Sequence, residues 1–217
     1  HQSHDGKFVL VHNGVIENYG TLKRFLEGKG MSFASETDSE VLCNLIAYHY
    51  SELPEDEDRF IDAVRLALPK CRGAYGIAVL CLDYPDVMIG ARRGSPLVVG
   101  LGEDANFIAS DASAFVGRAK EAVFLNDGEL AILDKGGFRI TTLEGQDAQA
   151  VTHPLDQILE EVELGDFDSY MEKEIYEQPA ALENTLRGRF GDDGTTAKLG
   201  GLEGHEDVLR DLDRIIF

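Results

Sequence analysis

The 217-residue chain contains no tryptophan, three cysteines and three methionines, and it has 20 basic residues against 40 acidic ones. Each shortage closes off a class of protein. Three thiols are an odd number and do not build a disulfide framework. Cys43, Cys71 and Cys81 each lie in or beside an apolar run, so they read as buried reduced cysteines. A net charge of −20 repels nucleic-acid phosphates and anionic lipid head groups, which removes nucleic acid and a membrane surface as partners. No stretch approaches the ~18 uncharged apolar residues of a membrane span. The start, HQSHDGKFVL, has neither the basic region nor the apolar core of a secretion signal. These absences point to a cytoplasmic protein that works on small molecules or with other subunits.

Residue 1 is His rather than Met, and the chain closes on the apolar Ile215, Ile216 and Phe217, so the sequence reads as an internal segment of something longer. The hydrophobic content of 43% suffices for a sizeable core. KFVLVH (7–12) reads as a strand entering a turn at Asn13-Gly14. YGTLKRFLEGK (19–29) spaces Leu22, Phe25 and Leu26 at helical intervals, with Gly28 and Gly30 as a stop. Thr37 or Asp38 is placed to cap a second helix over 39–50, and a third follows the acidic loop ELPEDED and ends near Pro69. The period then changes. Short apolar runs at 74–82, 87–91, 97–101, 106–110, 122–125 and 130–133, punctuated by Gly, Pro and Asp, predict antiparallel strands. Helices and strands segregated in this way predict an α+β layered domain, and no GxGxxG or Walker sequence opposes that reading.

A boundary is expected near residue 155, with domains over 1–154 and 155–217. Beyond it come the acidic residues Glu160, Glu161, Glu163, Asp166 and Asp168, then the helix formers YMEKEIYEQPAALENTL (170–186) around Pro179. A Gly-rich loop from 187 to 204 and an incipient strand at LRDLDRIIF (209–217) complete the chain.

Candidate chemistry concentrates at His12-Asn13-Gly14. A side-chain amide next to a backbone N–H can direct two donors at one developing oxyanion, although Asn-Gly is also the commonest hairpin dipeptide. Asp38 at a helix start suits either a ligand ammonium group or simple capping. Arg92, Arg93, Gly94 and Ser95 admit a phosphate cradle, but in so acidic a chain a salt-bridged surface is the favoured reading. His1, His4 and Asp5 lack the fixed spacing of a metal site, so none is assigned.

Taken in order, HNGVIENYGTLKRFLEGKGMSFASETDSEVL resembles the second half of the glutaminase signature of class II, amino-terminal-nucleophile glutamine amidotransferases. RGAYGIAVL, ARRGSPLVVGLG, FIASDASAF and DGELA resemble later strands and turns of that domain, so the likeness covers roughly residues 7–135. YMEKEIYEQPAALENTLRGR resembles the segment that joins glutaminase and sugar-isomerase domains in the glutamine:fructose-6-phosphate branch of the family.

The resemblance implies a four-layer αββα sandwich, incomplete here, followed by a linker into a sugar-isomerase domain. It implies glutamine and fructose-6-phosphate as substrates, no cofactor, and a homodimer at full length. The oxyanion hole falls on the Asn13 side chain and the Gly14 N–H, and recognition of the glutamine α-ammonium falls on Asp38. The nucleophile of such enzymes is an amino-terminal cysteine whose own amine is the base, a role that no internal cysteine fills. The 217-residue chain is therefore expected to be inactive by itself.

Overall fold

A computed structural model describes residues 1–155 and 167–186, and the chain divides into two compact units, residues 1–161 and 162–217. In the first unit β1 (Phe8–Ile16) is followed by three helices, α1 (Tyr19–Glu27), α2 (Asp38–Glu52) and α3 (Arg59–Ala67). Eight further strands are β2 (Gly73–Cys81), β3 (Tyr84–Arg93), β4 (Val98–Leu101), β5 (Asn106–Ala109), β6 (Glu121–Phe124), β7 (Glu129–Asp134), β8 (Gly137–Thr142) and β9 (Thr152–Pro154). They form two antiparallel sheets, of order β1-β2-β3-β7-β8 and β5-β4-β6-β9.

The apolar side chains show how these layers stack. Phe8, Leu10 and Ile16 of β1 and Tyr75, Ile77 and Val79 of β2 pack with Leu42, Leu45, Ile46, Phe60 and Val64, so the helices cover one face of the five-stranded sheet. Alternate residues of β7 and β8, among them Ala131, Leu133 and Ile140, meet Leu97, Val99 and Val123 in a second core between the sheets. On the outer face of the four-stranded sheet, Val98 and Ala122 pack with Ala112 and Phe115 of a short 3-10 turn and with Leu155. The result is the expected α+β sandwich, a helix layer and two sheets, whose fourth layer is represented among the described residues only by that turn and Leu155.

Two expectations need correction. The first strand does not turn at Asn13-Gly14. β1 runs nine residues in unbroken register with β2, from Phe8 opposite Cys81 to Ile16 opposite Gly73. Pairing along the whole strand outweighs the local preference of the dipeptide, and Gly14 takes its positive φ of +133° inside the strand rather than in a hairpin. In addition, β8 and β9 carry no expected strand. GFRITT and THP are short and rich in polar residues, and their neighbours in the sheets hold them in place. Elsewhere the differences are of one to three residues at element ends: α1 stops at Glu27, where the Gly28 N–H bonds the Arg24 carbonyl, and α2 begins at Asp38 behind a Thr37 cap.

In the second unit the described residues form α4 (Tyr170–Leu186), which runs through Pro179. Its start is fastened by Ser169 Oγ accepting from the Glu172 N–H and by the Glu172 carboxylate accepting from the Asp168 N–H, a reciprocal cap. Phe167 stacks on Tyr176 with centroids 5.7 Å apart. The expected acidic run at 160–166, the Gly-rich loop and the final strand lie outside the described residues.

Burial predicts where substitutions hurt. Phe8 is fully buried, edge-on to Tyr50 at 5.2 Å and tilted against Phe60 at 5.8 Å. Phe8→Ala is expected to cost about 3–5 kcal/mol in urea denaturation. Val11→Ala, on the exposed face of the same strand, should stay within about 0.5 kcal/mol.

Candidate functional site

The register of β1 decides which of its peptide groups are spent. Glu17 donates to the Arg72 carbonyl and Leu82 to the Lys7 carbonyl, both at 2.9 Å, so odd-numbered residues of β1 exchange hydrogen bonds with β2. Even-numbered residues occupy the alternate pairs and turn their N–H and C=O away from β2. β1 is the edge of its sheet, so the peptide groups of His12, Gly14 and Ile16 face outward along one line. The Ile16 N–H is taken by the Asp38 carboxylate, Oδ2 accepting at 2.7 Å. That same oxygen is 3.9 Å from His12 Nδ1. Asp38 therefore lies along the strand edge that carries the outward N–H of Gly14, while the side chain of Asn13, an odd-numbered residue, belongs to the face of β1 opposite to that of Phe8, Leu10 and Ile16.

Asp38 is held there by the way α2 begins. Thr37 is extended and its hydroxyl accepts from the Glu40 N–H at 3.3 Å, which makes Asp38 the first helical residue. Glu40, three residues after the cap, does not reach back to Thr37 as a reciprocal cap would. Its buried carboxylate accepts from the Ala34 and Ser35 N–H groups, both at 2.6 Å, and from the Ser35 hydroxyl, folding the 34–37 loop onto the helix start. Burial alone would raise the Glu40 carboxyl. The hydrogen bonds from Ser35 and Ala34, with the Lys23 ammonium nearby, outweigh it and hold the group below its ordinary value.

Gly14 admits no side chain: a Cβ there would sit 2.3 Å from the Ala74 carbonyl oxygen and 2.9 Å from Ser95 Oγ. Gly76, opposite Asn13, is closed in the same way by the Pro96 carbonyl oxygen at 2.8 Å. The loop 94–96 thus packs directly on Gly14 and on Gly76, the partner of Asn13 in the ladder. Asp127 anchors it, accepting from the Gly94 N–H at 3.0 Å and from Arg92 at 3.1 Å. Arg92 also donates to the Leu125 carbonyl, while Arg93 donates to the carbonyls of Gly73 and Cys71 and lies over the Tyr75 ring. Both arginines are engaged in holding the fold, in keeping with the structural reading favoured from sequence.

Ser39 and Glu40 escaped the sequence reading, and Ser95 was legible there only as part of a phosphate cradle. Of the three, Glu40 alone had a local signal for its place, the Thr-x-x-Glu spacing from Thr37. A cleft of about 700 Å³ opens elsewhere, at the far end of β2 and β3 between the sheets, lined by residues such as Leu80, Met88, Leu101 and Phe138; none of Asn13, Gly14 or Asp38 borders it.

The three thiols are free and buried. Burial pushes those of Cys43 and Cys71 up to about 12 and raises that of Cys81 as well. A thiol so protonated is a poor nucleophile at neutral pH.

The model of the glutamine amidotransferase domain family matches residues 1–117, more than half of the chain. The chain belongs to the glutamine amidotransferase family. Curated relatives of this amidotransferase chain include proteins named glutamine–fructose-6-phosphate aminotransferase (isomerizing). That of Chlorobaculum tepidum is 41% identical over 216 residues, covering 100% of the chain and 35% of the relative. One from Thermus thermophilus is 44% identical over 200 residues, 92% and 32% respectively. The chain thus spans about a third of the length of these relatives. Among solved structures, glutamine phosphoribosylpyrophosphate amidotransferase of B. subtilis superposes with a TM-score of 0.53 at 28% identity, over 66% of this chain and 30% of that one. A second, described as the allosteric regulatory enzyme of purine biosynthesis, gives 0.51 at 28% identity over 63% and 28%. The amidotransferase fold seen in the layers and the family match agree.

Two measurements follow from this site. Because the Glu40 carboxyl is depressed, its contribution to stability is fully present above its ordinary value of 4.5 and is lost as pH falls through the lower folded-state value. Glu40→Gln is expected to lose roughly 1–3 kcal/mol at pH 7, and its urea midpoint should converge on that of the unsubstituted chain as pH falls below about 4. At pH 8 the native thiols should react with a disulfide reagent more than about a hundredfold slower than free cysteine, and all three should titrate at once in denaturant.

Proposed function

We propose that this chain is the glutaminase part of an enzyme that moves the amide nitrogen of glutamine to fructose-6-phosphate, giving glucosamine-6-phosphate and glutamate. The observation that carries the reading is the outward N–H of Gly14, the residue after Asn13, on the same strand edge as the Asp38 carboxylate. In this reading Asp38 receives the glutamine α-ammonium, and Asn13 Nδ2 and Gly14 N–H receive the oxygen that becomes negative when a thiolate adds to the side-chain carbonyl. The nucleophile is an amino-terminal cysteine outside these 217 residues. Its amine takes the thiol proton and passes it to the departing nitrogen as the new carbon–sulfur bond forms and the carbon–nitrogen bond breaks. Water then cleaves the thioester to glutamate.

Fructose-6-phosphate is favoured as acceptor because relatives bearing that name align over 216 and 200 residues, beyond the sandwich and into α4. In this reading residues 1–154 form the glutaminase portion and residues 155–217 lead towards a sugar-isomerase domain, in a protein that works as a homodimer. A class II amidotransferase with another acceptor is the second reading, and a glutamine-binding module without activity the third.

In the full-length gene product Asn13→Ala is expected to lower kcat for glutamine hydrolysis by about 10² to 10³. Glucosamine-6-phosphate should form only when fructose-6-phosphate is present, and formation of a phosphoribosylamine instead would favour the second reading. The 217-residue polypeptide by itself should release no ammonia from glutamine. Micromolar glutamine binding by calorimetry without turnover in the full-length protein would favour the third.

A further inference from the structure

His12 precedes the candidate oxyanion pair, yet its side chain is turned into the protein with 1% exposed. Its Nδ1 is 2.9 Å from Ser39 Oγ and 3.9 Å from Asp38 Oδ2, and Ser39 Oγ is 3.5 Å from Asp38 Oδ1. Nε2 is buried with no hydrogen-bond partner among the described residues. The one hydroxyl proton of Ser39 can go either to His12 or towards the carboxylate, and the surroundings choose between them. If Ser39 donated to His12, the ring proton would sit on Nε2, where it would be a buried N–H without an acceptor, and the Nδ1 lone pair would face a carboxylate oxygen. Orphaned buried N–H groups are rare and costly. If Nδ1 carries the proton, it donates to Ser39, Ser39 points its proton at Asp38, and the unpaired ring atom is an acceptor, the cheaper one to leave alone.

We infer that His12 is a positioning residue for glutamine recognition: its Nδ1–H holds Ser39, and through Ser39 the first turn of α2, so that the Asp38 carboxylate stays against the edge of β1. The inference rests on the proposed role of Asp38 and adds to it the group that fixes where that carboxylate stands. A group acting in this way sets the affinity for the substrate ammonium and leaves the bond-making atoms untouched.

Substitutions that keep one ring nitrogen at a time test it. In the full-length gene product, His12→Asn puts an amide N–H near the Nδ1 position, whereas His12→Gln puts it near Nε2. His12→Asn should hold KM for glutamine within about twofold. His12→Gln and Ser39→Ala should each raise it about tenfold with kcat little changed, as loss of one hydrogen bond in a charged network does. The doubly substituted protein should be no worse than the poorer single variant, because both break the same link. Ser39→Ala removes only a hydroxyl and reads the link even if His12→Gln does not fold. Equal KM values for the Asn and Gln variants, a loss confined to kcat, or additive effects in the double variant would overturn the inference. Its failure is separable from that of the functional reading. Should Asp38→Asn raise KM and Asn13→Ala lower kcat while the His12 and Ser39 variants behave normally, only this inference falls. Should Asp38→Asn leave KM unchanged, the role of Asp38 itself falls.

Discussion

The arrangement around Asn13 depends on one hydrogen bond, from the Ile16 N–H to the Asp38 carboxylate. It joins the end of an edge strand to the start of a helix that is 22 residues further along the chain. Without it the helix layer would still cover the sheet, but the carboxylate would lose its direct tie to the strand and keep only the indirect one through Ser39 and His12. The bond exists because strand parity leaves the Ile16 N–H without an acceptor in β2, and because the Thr37 cap makes Asp38 the first residue of the helix. Position in the ladder and position in the helix each supply one half of the contact.

Magnitudes separate what places the strand from what directs the site. Fully burying Phe8, Leu10 or Ile16 is worth about 1.5–3 kcal/mol each. A hydrogen bond adds a net ~0.5–1.5 kcal/mol, somewhat more when one partner is charged. Three such side chains on the inner face of β1 therefore outweigh the polar contacts on its edge. Burial decides where the strand lies, and the polar groups decide which way the carboxylate turns. The same division holds on the other side, where the loop 94–96 is brought to β1 by glycines that permit close approach at 14 and 76 and is then fastened by Asp127.

Much of the site could be read from sequence, and what was missed has physical causes. HNG and Asp38 were visible as types of residue suited to an oxyanion and an ammonium. The strand was read as ending at Asn13 because the dipeptide dominates local turn statistics, although Phe8, Leu10, His12 and Ile16 share a parity that already hinted at continuation. Glu40 has a local signal in its spacing from Thr37, but the amides it binds, those of Ala34 and Ser35, depend on a loop folding back. Ser95 meets Gly14 across some eighty residues of chain with no periodic signal at all. The short strands GFRITT and THP are strands because of their neighbours, which no local pattern encodes.

The outward peptide groups of β1 also bear on how copies of this polypeptide behave towards each other. Between Val11 and Val15 the strand presents main-chain groups that take no partner in β2 beside the exposed side chains of those two valines, a template on which a foreign strand can add. What opposes that addition is the charge of −20, which adds a net repulsion between two copies as they approach. Since electrolyte shortens the reach of that repulsion to about 8 Å at physiological strength, the protection it gives the open strand edge weakens as ionic strength rises.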